Sequence, residues 1–200
     1  AGNGGNKPYI VGSPSIAPGV ISVAQTEVPS ASAIPLLVNA PAAIAGVYGN
    51  TATLDFAPVS SGVTGDVVRV GRGCPAGSVA AGSPDDAYLA PPTGKIALID
   101  RGGCSVSLKV DRAAKAGATG VLIGLVAAGD AVSFSFGGGT TFVPSLVIQQ
   151  SLSNAIKAQL TGGQTVNVSL SPAAAIALVG GVASTSSRGP SISFQTIKPE

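Results

Sequence analysis

Few residues of this chain could carry out catalysis, and the usual proton carrier of enzymes is missing. None of the 200 residues is a histidine, so the chain alone cannot form a histidine-activated nucleophile or a Cys/His zinc site. The pair Asp100–Arg101 ends an apolar run and is typical of a strand-end ion pair or a turn. The sequence therefore predicts that the isolated chain is not an enzyme and binds no metal or cofactor.

Two cysteines, Cys74 and Cys104, are the other reactive side chains. In a glycine-rich chain with only 10% charged residues, an even number of cysteines favours a structural disulfide; two buried free thiols are the alternative. Closing a loop of about 31 residues would stabilise the fold by roughly 3–4 kcal/mol in the chain-entropy description. A disulfide would in turn indicate a secreted protein.

Two glycine-rich stretches and a few carboxylates have the composition of ligand-binding loops. Residues 71–76 partly fit a dinucleotide fingerprint, but Pro75 and the residues after it do not begin the helix that the motif requires. Residues 137–141 lack the lysine of a phosphate loop. Asp66, Asp85 and Asp86 are candidate calcium ligands, although adjacent loop carboxylates more often face solvent.

Charge and hydropathy argue against two classes of partner. The net charge is +2, from 11 basic and 9 acidic residues that form no runs, so the sequence indicates no nucleic acid and no anionic membrane surface as a partner. No apolar run reaches the roughly 18 to 20 residues of a membrane helix. With 4% aromatic residues and no Trp or Met, the core must consist of Val, Ile, Leu and Ala, which favours strands.

Two strand–helix–strand patterns are the clearest structural signal. The first has strands at residues 95–100 and 119–126 around a helix at residues 105–116; the second has strands at 145–148 and 165–170 around a helix at 151–160. Such connections favour parallel neighbours. Shorter strands are predicted at 45–48, 52–56 and 67–70, a surface excursion at 75–94, and a domain boundary at 29–41. The sequence therefore predicts a mixed α and β fold.

Details of the first predicted helix support its assignment. An apolar stripe lies on one face, with Asp111 and Lys115 as an i,i+4 pair on the other side. Ser105 is a candidate N-cap, and Gly117 suits a left-handed C-terminal stop.

Residues 94–121 closely resemble the signature of the protease-associated (PA) domain, in which a strand ends in Asp-Arg-Gly, a Cys and a helix follow, and a Gly-Ala-x-Gly-Val turn leads into the next strand. Residues 143–148 match the Pro-Ser strand of the same family. The resemblance spans residues 42–173. It implies an α+β PA-domain fold, with mixed β-sheets of sandwich or open-barrel type, two or more short helices and two β-α-β units. It also implies a bond between Cys74 and Cys104.

The ends of the chain resemble a second family, the subtilisin-like serine proteases. Residues 1–4, Ala-Gly-Asn-Gly, look like the block that holds the oxyanion-hole asparagine, which would be Asn3; the family usually has Ser or Glu where Gly4 stands. Residues 184–190 and 197–200 look like the stretch before the nucleophile loop. The resemblance implies that the triad Asp and His precede Ala1 and that the Ser follows Glu200.

Together these resemblances imply three segments and a function. Residues 1–41 are a catalytic-domain fragment with a linker, residues 42–173 the PA domain, and residues 174–200 a second fragment. The expected function is a non-catalytic module of a secreted subtilisin-like endopeptidase that binds or positions polypeptide substrate and controls access to the active site. A structural spacer or dimerisation module is one alternative, and a stand-alone hydrolase with an unrecognised site is another.

The expected partners are polypeptide substrate, the rest of the protease and, as a further option, a second copy of the chain. The candidate contact residues lie in two loops: Phe134, Phe136 and Phe142 in one, Asp85 and Asp86 in the other. Packing at strand ends is the alternative role for the three phenylalanines. Asn167 begins a glycosylation sequon, which matters only in a eukaryotic source.

Overall fold

The computed structural model describes residues 4–5, 8–26, 31–78, 86–178, 181–183 and 186–188. Two predicted site residues, Asn3 and Asp85, therefore lie outside the described residues. The chain divides into two compact units, one of Ala33–Ile176 and the other of Ala1–Ser32 with Ala177–Glu200. The larger unit contains both helices and the long sheet.

The described residues form ten strands and two helices. The strands are β1 (Ser32–Ala33), β2 (Leu36–Ala40), β3 (Gly46–Tyr48), β4 (Thr51–Thr53), β5 (Val63–Gly71), β6 (Ile96–Asp100), β7 (Gly120–Gly124), β8 (Ser145–Ile148), β9 (Asn167–Leu170) and β10 (Ile176–Ala177). Helix α1 (Val106–Lys115) lies between β6 and β7, helix α2 (Gln150–Thr161) between β8 and β9, and a 3₁₀ turn (Pro172–Ala174) follows β9. The predicted α+β class is confirmed.

Eight strands form one mixed sheet in the order β3-β2-β9-β5-β6-β7-β8-β4. Strands β5 to β8 are parallel, and the remaining pairings are antiparallel. The first strand–helix–strand unit joins parallel neighbours as predicted, because β6 pairs with β7 from Ile96↔Gly120 to Asp100↔Gly124.

The expectation of parallel neighbours is wrong for the second unit. Strand β9 lies four positions from β8 and runs antiparallel to β5 and β2, while the free side of β8 is taken by β4. Between β8 and β9 in the chain, helix α2 of 12 residues packs on β5 and β7.

The sheet curves until its two edges approach each other. Strands β3 and β4 form opposite edges, yet only Gly49 and Asn50 separate them in the chain. Three Cα–Cα steps from Tyr48 to Thr51 span at most about 11 Å. This short connection therefore keeps the ends of the two edge strands close together.

Apolar side chains cover both faces of the central strands. In β6, Ile96 and Leu98 belong to the core beneath α2, whereas Ala97 and Ile99 belong to the core beneath α1. Alternation along a strand sends neighbouring side chains to opposite faces, and burial of both faces explains why β6 and β7 consist almost entirely of apolar residues. Val106, Val110 and Ala113 form the buried stripe of α1 and are joined on that face by Leu125.

The larger unit includes a strand that the sequence analysis placed in a linker. Strand β2 lies within residues 29–41, and its Leu36 and Val38 are buried in the core. The proline and alanine content of that stretch obscured an alternating strand, because Leu36 and Val38 face inward while Asn39 is exposed. Assignment of residues 1–41 and 174–200 to a catalytic domain stays a prediction.

Candidate functional site

The carboxyl ends of β5, β6 and β7 lie at the same end of the sheet, since the three strands are parallel. Three connections begin at this carboxyl end: residues 72–95, 101–105 and 125–144. Both loops predicted to contact a partner are among them. In open sheets with parallel strands, ligands bind outside the carboxyl ends of the strands. The way in which these connections are held therefore determines the shape of any site there.

A disulfide joins the first two connections. Cys74 and Cys104 are bonded, with their Cα atoms 5.9 Å apart. The pairing is the one that the PA resemblance implied. It ties the loop after β5 to the start of α1 through Ser105 and so limits the paths that both loops can take.

Two basic side chains of α1 hold the loop after β5. The Lys109 side chain is fully buried, donates to the carbonyl of Arg72, and places Nζ 3.3 Å from Cys74 Sγ. Burial lowers the pKa of Lys109 to about 8, with nearby Asp86 opposing the shift. One Arg112 nitrogen donates to the carbonyls of Cys74 and Asp86, at 2.8 and 2.7 Å.

The same helix holds the loop after β7 through two acceptors. Ser107 Oγ accepts from the backbone N–H of Gly137 at 2.9 Å, and Asp111 Oδ1 accepts from those of Thr140 and Thr141, both at 2.8 Å. Burial opposes ionisation of Asp111, but hydrogen bonds from Lys115, Thr140 and Thr141 hold the pKa of its carboxyl below the usual value. The carboxylate thus orders the end of the loop.

The glycine-rich stretch 137–139 allows this loop to approach α1 closely. A Cβ on Gly137 would lie 2.3 Å from Ser105 Oγ, and one on Gly139 would lie 2.8 Å from Asp111 Cβ. Gly139 also has φ +102°, a conformation that side chains disfavour. The glycines thus permit close contact between this loop and the helix.

A groove of about 410 Å³ lies between residues 101–106, which lead from β6 into α1, and the loop after β7. Its lining is mostly small or apolar, with one charged side chain, Arg101, and is formed by Arg101, Gly102, Cys104, Ser105, Val106, Val126, Phe134 and Ser135. The Arg101 guanidinium lies 4.9 Å from the centre of the Phe134 ring. No ion pair joins Arg101 to a carboxylate of the described residues. The groove therefore presents an exposed positive charge beside an aromatic face.

A second cavity, of about 380 Å³, lies between the β3–β4 connection and the start of α2. Its lining includes Tyr48, Asn50 and Gln149 but no charged side chain. The groove beside Arg101 is the stronger candidate site, because it has a charged side chain and an aromatic ring and lies at the carboxyl ends of parallel strands.

The predicted contact residues have different environments. Phe136 is 61% exposed and touches Phe56 and Phe142 edge-on, with ring centres 6.2 Å away in each case. Phe142 packs against the core beneath α1, as does Phe134, which also lines the groove. The structure thus places Phe134 in the groove and Phe136 with Phe142 in a separate aromatic cluster. Binding by any of them stays a prediction.

Asp86 has structural partners. Its Oδ2 accepts from the backbone N–H of Cys74 at 3.3 Å and lies 3.6 Å from Arg72 Nε. Asp100 forms an ion pair, as predicted for the end of a strand, but its partners are Lys157 and Arg69 and its neighbour Arg101 is not among them.

Sequence reasoning missed the residues of α1 that hold the loops. Ser107, Lys109 and Asp111 are buried, although Asp111 was predicted to lie with Lys115 on the side of α1 away from the core. The pair with Lys115 does form, at 2.8 Å, yet the loop after β7 covers Asp111. Ser105 occupies the N-cap position without a side-chain capping bond, and Gly117 adopts the predicted left-handed conformation, φ +84°.

Among the described residues, no helix has the length and hydropathy to cross a membrane. Nor do three or more His, Cys, Asp or Glu side chains in that part of the chain gather where they could ligate a metal ion.

Comparison with known proteins identifies the larger unit. Residues 63–156 match the family model of the PA domain, and the chain therefore contains a PA domain. No curated protein sequence matches the chain.

Solved structures of two aminopeptidases share the fold, and a subtilisin-like protease is also among the similar structures. The aminopeptidase from Aneurinibacillus sp. strain AM-1 is 26% identical, with a TM-score of 0.55 over 78% of this chain and 33% of that protein. BSAP, a zinc aminopeptidase from Bacillus subtilis, is 20% identical, with a TM-score of 0.50 over 82% of this chain and 34% of its own. The subtilisin-like protease Apa1 from Pseudoalteromonas sp. AS-11 is 16% identical, with a TM-score of 0.45 over 89% and 47%. The chain spans about a third of the length of the first two.

Proposed function

We propose that this chain is the non-catalytic protease-associated module of a larger, secreted peptidase, and that the groove beside Arg101 binds polypeptide and positions it for the catalytic domain. The PA domain over residues 63–156 and the likeness to an aminopeptidase of 26% identity support a peptidase as the whole protein. The disulfide supports secretion, because disulfides persist in oxidising compartments.

The proposed peptidase is a subtilisin-like serine endopeptidase. Support comes from the chain ends, where residues 1–4 and 184–190 resemble the blocks on either side of a PA insertion. In that enzyme Asn3 would donate its side-chain amide to the oxyanion. A contact of this type contributes about 2.7–4 kcal/mol in subtilisin.

One observation carries the binding role: a cation without a described carboxylate partner stands in an open groove beside an aromatic ring. An extended peptide with a carboxylate, either at its C-terminus or on an Asp or Glu side chain, complements Arg101 through charge-assisted hydrogen bonds. The Val126 and Phe134 side chains offer apolar contact to the neighbouring residue of such a peptide.

The rigidity of the surrounding loops favours binding. Helix α1 holds the loop after β5 through Lys109 and Arg112, and the loop after β7 through Ser107 and Asp111. The disulfide also holds Cys104, which lines the groove itself, so less conformational entropy is lost there on binding.

A charge-matched pair of variants tests the groove. Arg101→Gln removes the cation in the groove, whereas Lys95→Gln removes a cation at the opposite end of β6. With a fluorescent, acidic, unstructured peptide, we expect Arg101→Gln to weaken binding about tenfold, since one charge-assisted hydrogen bond contributes about 1.5 kcal/mol. Lys95→Gln should bind like the parent chain. Equal affinities for all three proteins by fluorescence anisotropy would contradict the assignment of the groove.

Two further measurements separate the proposal from its alternatives. Removal of the larger unit, Ala33–Ile176, from the whole enzyme should lower kcat/KM for polypeptides more than for short peptide esters; unchanged specificity with altered assembly would instead support a spacer. Turnover of casein by the purified chain, sensitive to a serine-directed inhibitor, would identify it as a hydrolase in its own right.

A further inference from the structure

The disulfide has two unlike ends. Cys104 is half-buried and is among the residues that line the groove. Cys74 is 2% exposed and lies on the inner side of the bond. Thiol exchange requires a thiolate to attack one sulfur while the other leaves, and access here favours attack on Cys104.

A buried amine stands beside the sulfur that would leave. Lys109 Nζ is 3.3 Å from Cys74 Sγ, and its other acceptor is the carbonyl of Arg72. Asp86, Arg72 and Asp100 are the charged groups that act on it. A cation at this distance stabilises a thiolate, and a stabilised thiolate leaves faster.

We propose that Cys104 is a site of reversible exchange with small-molecule thiols, in which Cys74 leaves as a thiolate paired with the Lys109 ammonium. The incoming thiolate forms a bond to Cys104 Sγ, the bond between the two cysteines breaks, and its electron pair stays on Cys74 Sγ. The products are a mixed disulfide on Cys104 and one protein thiolate. No external oxidant or reductant is consumed, because one disulfide replaces another.

The structure keeps Cys74 in place for the reverse step. Its carbonyl accepts from Arg112 at 2.8 Å and from the backbone N–H of Asp86 at 3.0 Å. Its own N–H donates to Asp86 Oδ2. Since none of these bonds depends on the disulfide, the freed thiolate remains near Cys104 and can expel the bound thiol.

The first test uses the unmodified chain and reduced glutathione. Native protein is incubated with glutathione near pH 7.5 and quenched with N-ethylmaleimide, and its cysteine peptides are then mapped by mass spectrometry. We expect glutathione on Cys104 and maleimide on Cys74. Glutathione mainly on Cys74, or a disulfide that stays intact while the fold is native, would overturn the proposal.

The second test measures the contribution of Lys109. Lys109→Met should slow the exchange about three- to tenfold. Without the ammonium, the pKa of the Cys74 thiol should rise by about one to two units, and a thiol with a higher pKa leaves more slowly. Lys115→Met, on the same helix but with an exposed side chain, is the matched control and should exchange at the parent rate.

A third measurement does not depend on exchange rates. In Cys104→Ser the single thiol of Cys74 is titrated through thiolate absorbance at 240 nm, and we expect a pKa below the usual 8.5. Adding Lys109→Met should raise that pKa by at least one unit. Circular dichroism establishes that each variant is folded. If Lys109→Met does not fold, the mapping of glutathione by mass spectrometry and the titration of Cys104→Ser still test the proposal. A Cys74 pKa at or above 8.5 would overturn the role of Lys109.

Discussion

Replacement of Asp111 by Ala tests whether α1 holds the loop after β7. The substitution removes the acceptor of two backbone N–H groups, those of Thr140 and Thr141, each at 2.8 Å, and the ion pair with Lys115. A hydrogen bond to a charged group contributes about 1.5 kcal/mol at the lower end, and an i,i+4 pair about 0.3–0.5 kcal/mol. Both threonines are exposed, so their N–H groups regain water, and we expect a loss of about 2–3 kcal/mol.

The loss can be measured by urea unfolding and by hydrogen exchange. With an m-value of about 2 kcal/mol/M, the midpoint of Asp111→Ala should fall by about 1–1.5 M. Amides of residues 137–141 should also exchange faster, because the end of the loop is released. Lys115→Gln is the control: it removes only the ion pair and should lower the midpoint by no more than about 0.25 M.

The pH dependence provides an independent check. Because its hydrogen bonds hold the pKa of Asp111 below the usual value, the stabilisation is present above about pH 4, the pKa of an unfolded Asp. It is lost as the pH falls through the pKa of the folded state. Asp111→Asn should therefore show a weaker loss of stability in acid than the parent chain. If Asp111→Ala and Lys115→Gln unfold at the same urea concentration, the reasoning is refuted.

Three further predictions concern close contacts and buried groups. Gly124→Ala should lower the free energy of unfolding by about 1–3 kcal/mol, because its Cβ would lie 2.2 Å from Ser153 Oγ; an unchanged urea midpoint would contradict it. Ser153→Ala should be neutral or stabilise the fold by up to about 1 kcal/mol, since that buried hydroxyl has no hydrogen-bond partner among the described residues; clear destabilisation would be the opposite result. With the pKa of Lys109 lowered to about 8 by burial, the unfolded state binds more protons between about pH 8 and 10. Stability should rise over that range in the parent chain and not in Lys109→Met, as measured by urea unfolding at each pH.

Local patterns predicted much of the fold. The run of residues 95–100 reads as a buried strand, the apolar spacing of residues 106–114 as one face of a helix, and Gly117 as its stop; the structure has β6, α1 and a left-handed glycine in these places. Such patterns depend on which side of an element is buried, and the periodicity of apolar residues in the sequence indicates that side.

Strand order could not be predicted in the same way. Helix α2 leads to a strand four positions away, and antiparallel to the central strands, because β4 takes the position beside β8. The pairing of β4 depends in turn on the short turn that joins it to β3. No local pattern contains that information, since it concerns segments about 100 residues apart in the chain.

The sequence by itself determined the class of fold, the two helices and the PA signature, because each depends on neighbouring residues. Only the tertiary structure decided the partners of the polar side chains. Lys109 and Asp111 bond to residues 29 to 37 positions away, and Arg101 faces Phe134 rather than Asp100. Hydrogen bonds and ring contacts act over a few ångströms, so their partners are set by the paths of loops that the sequence pattern leaves open.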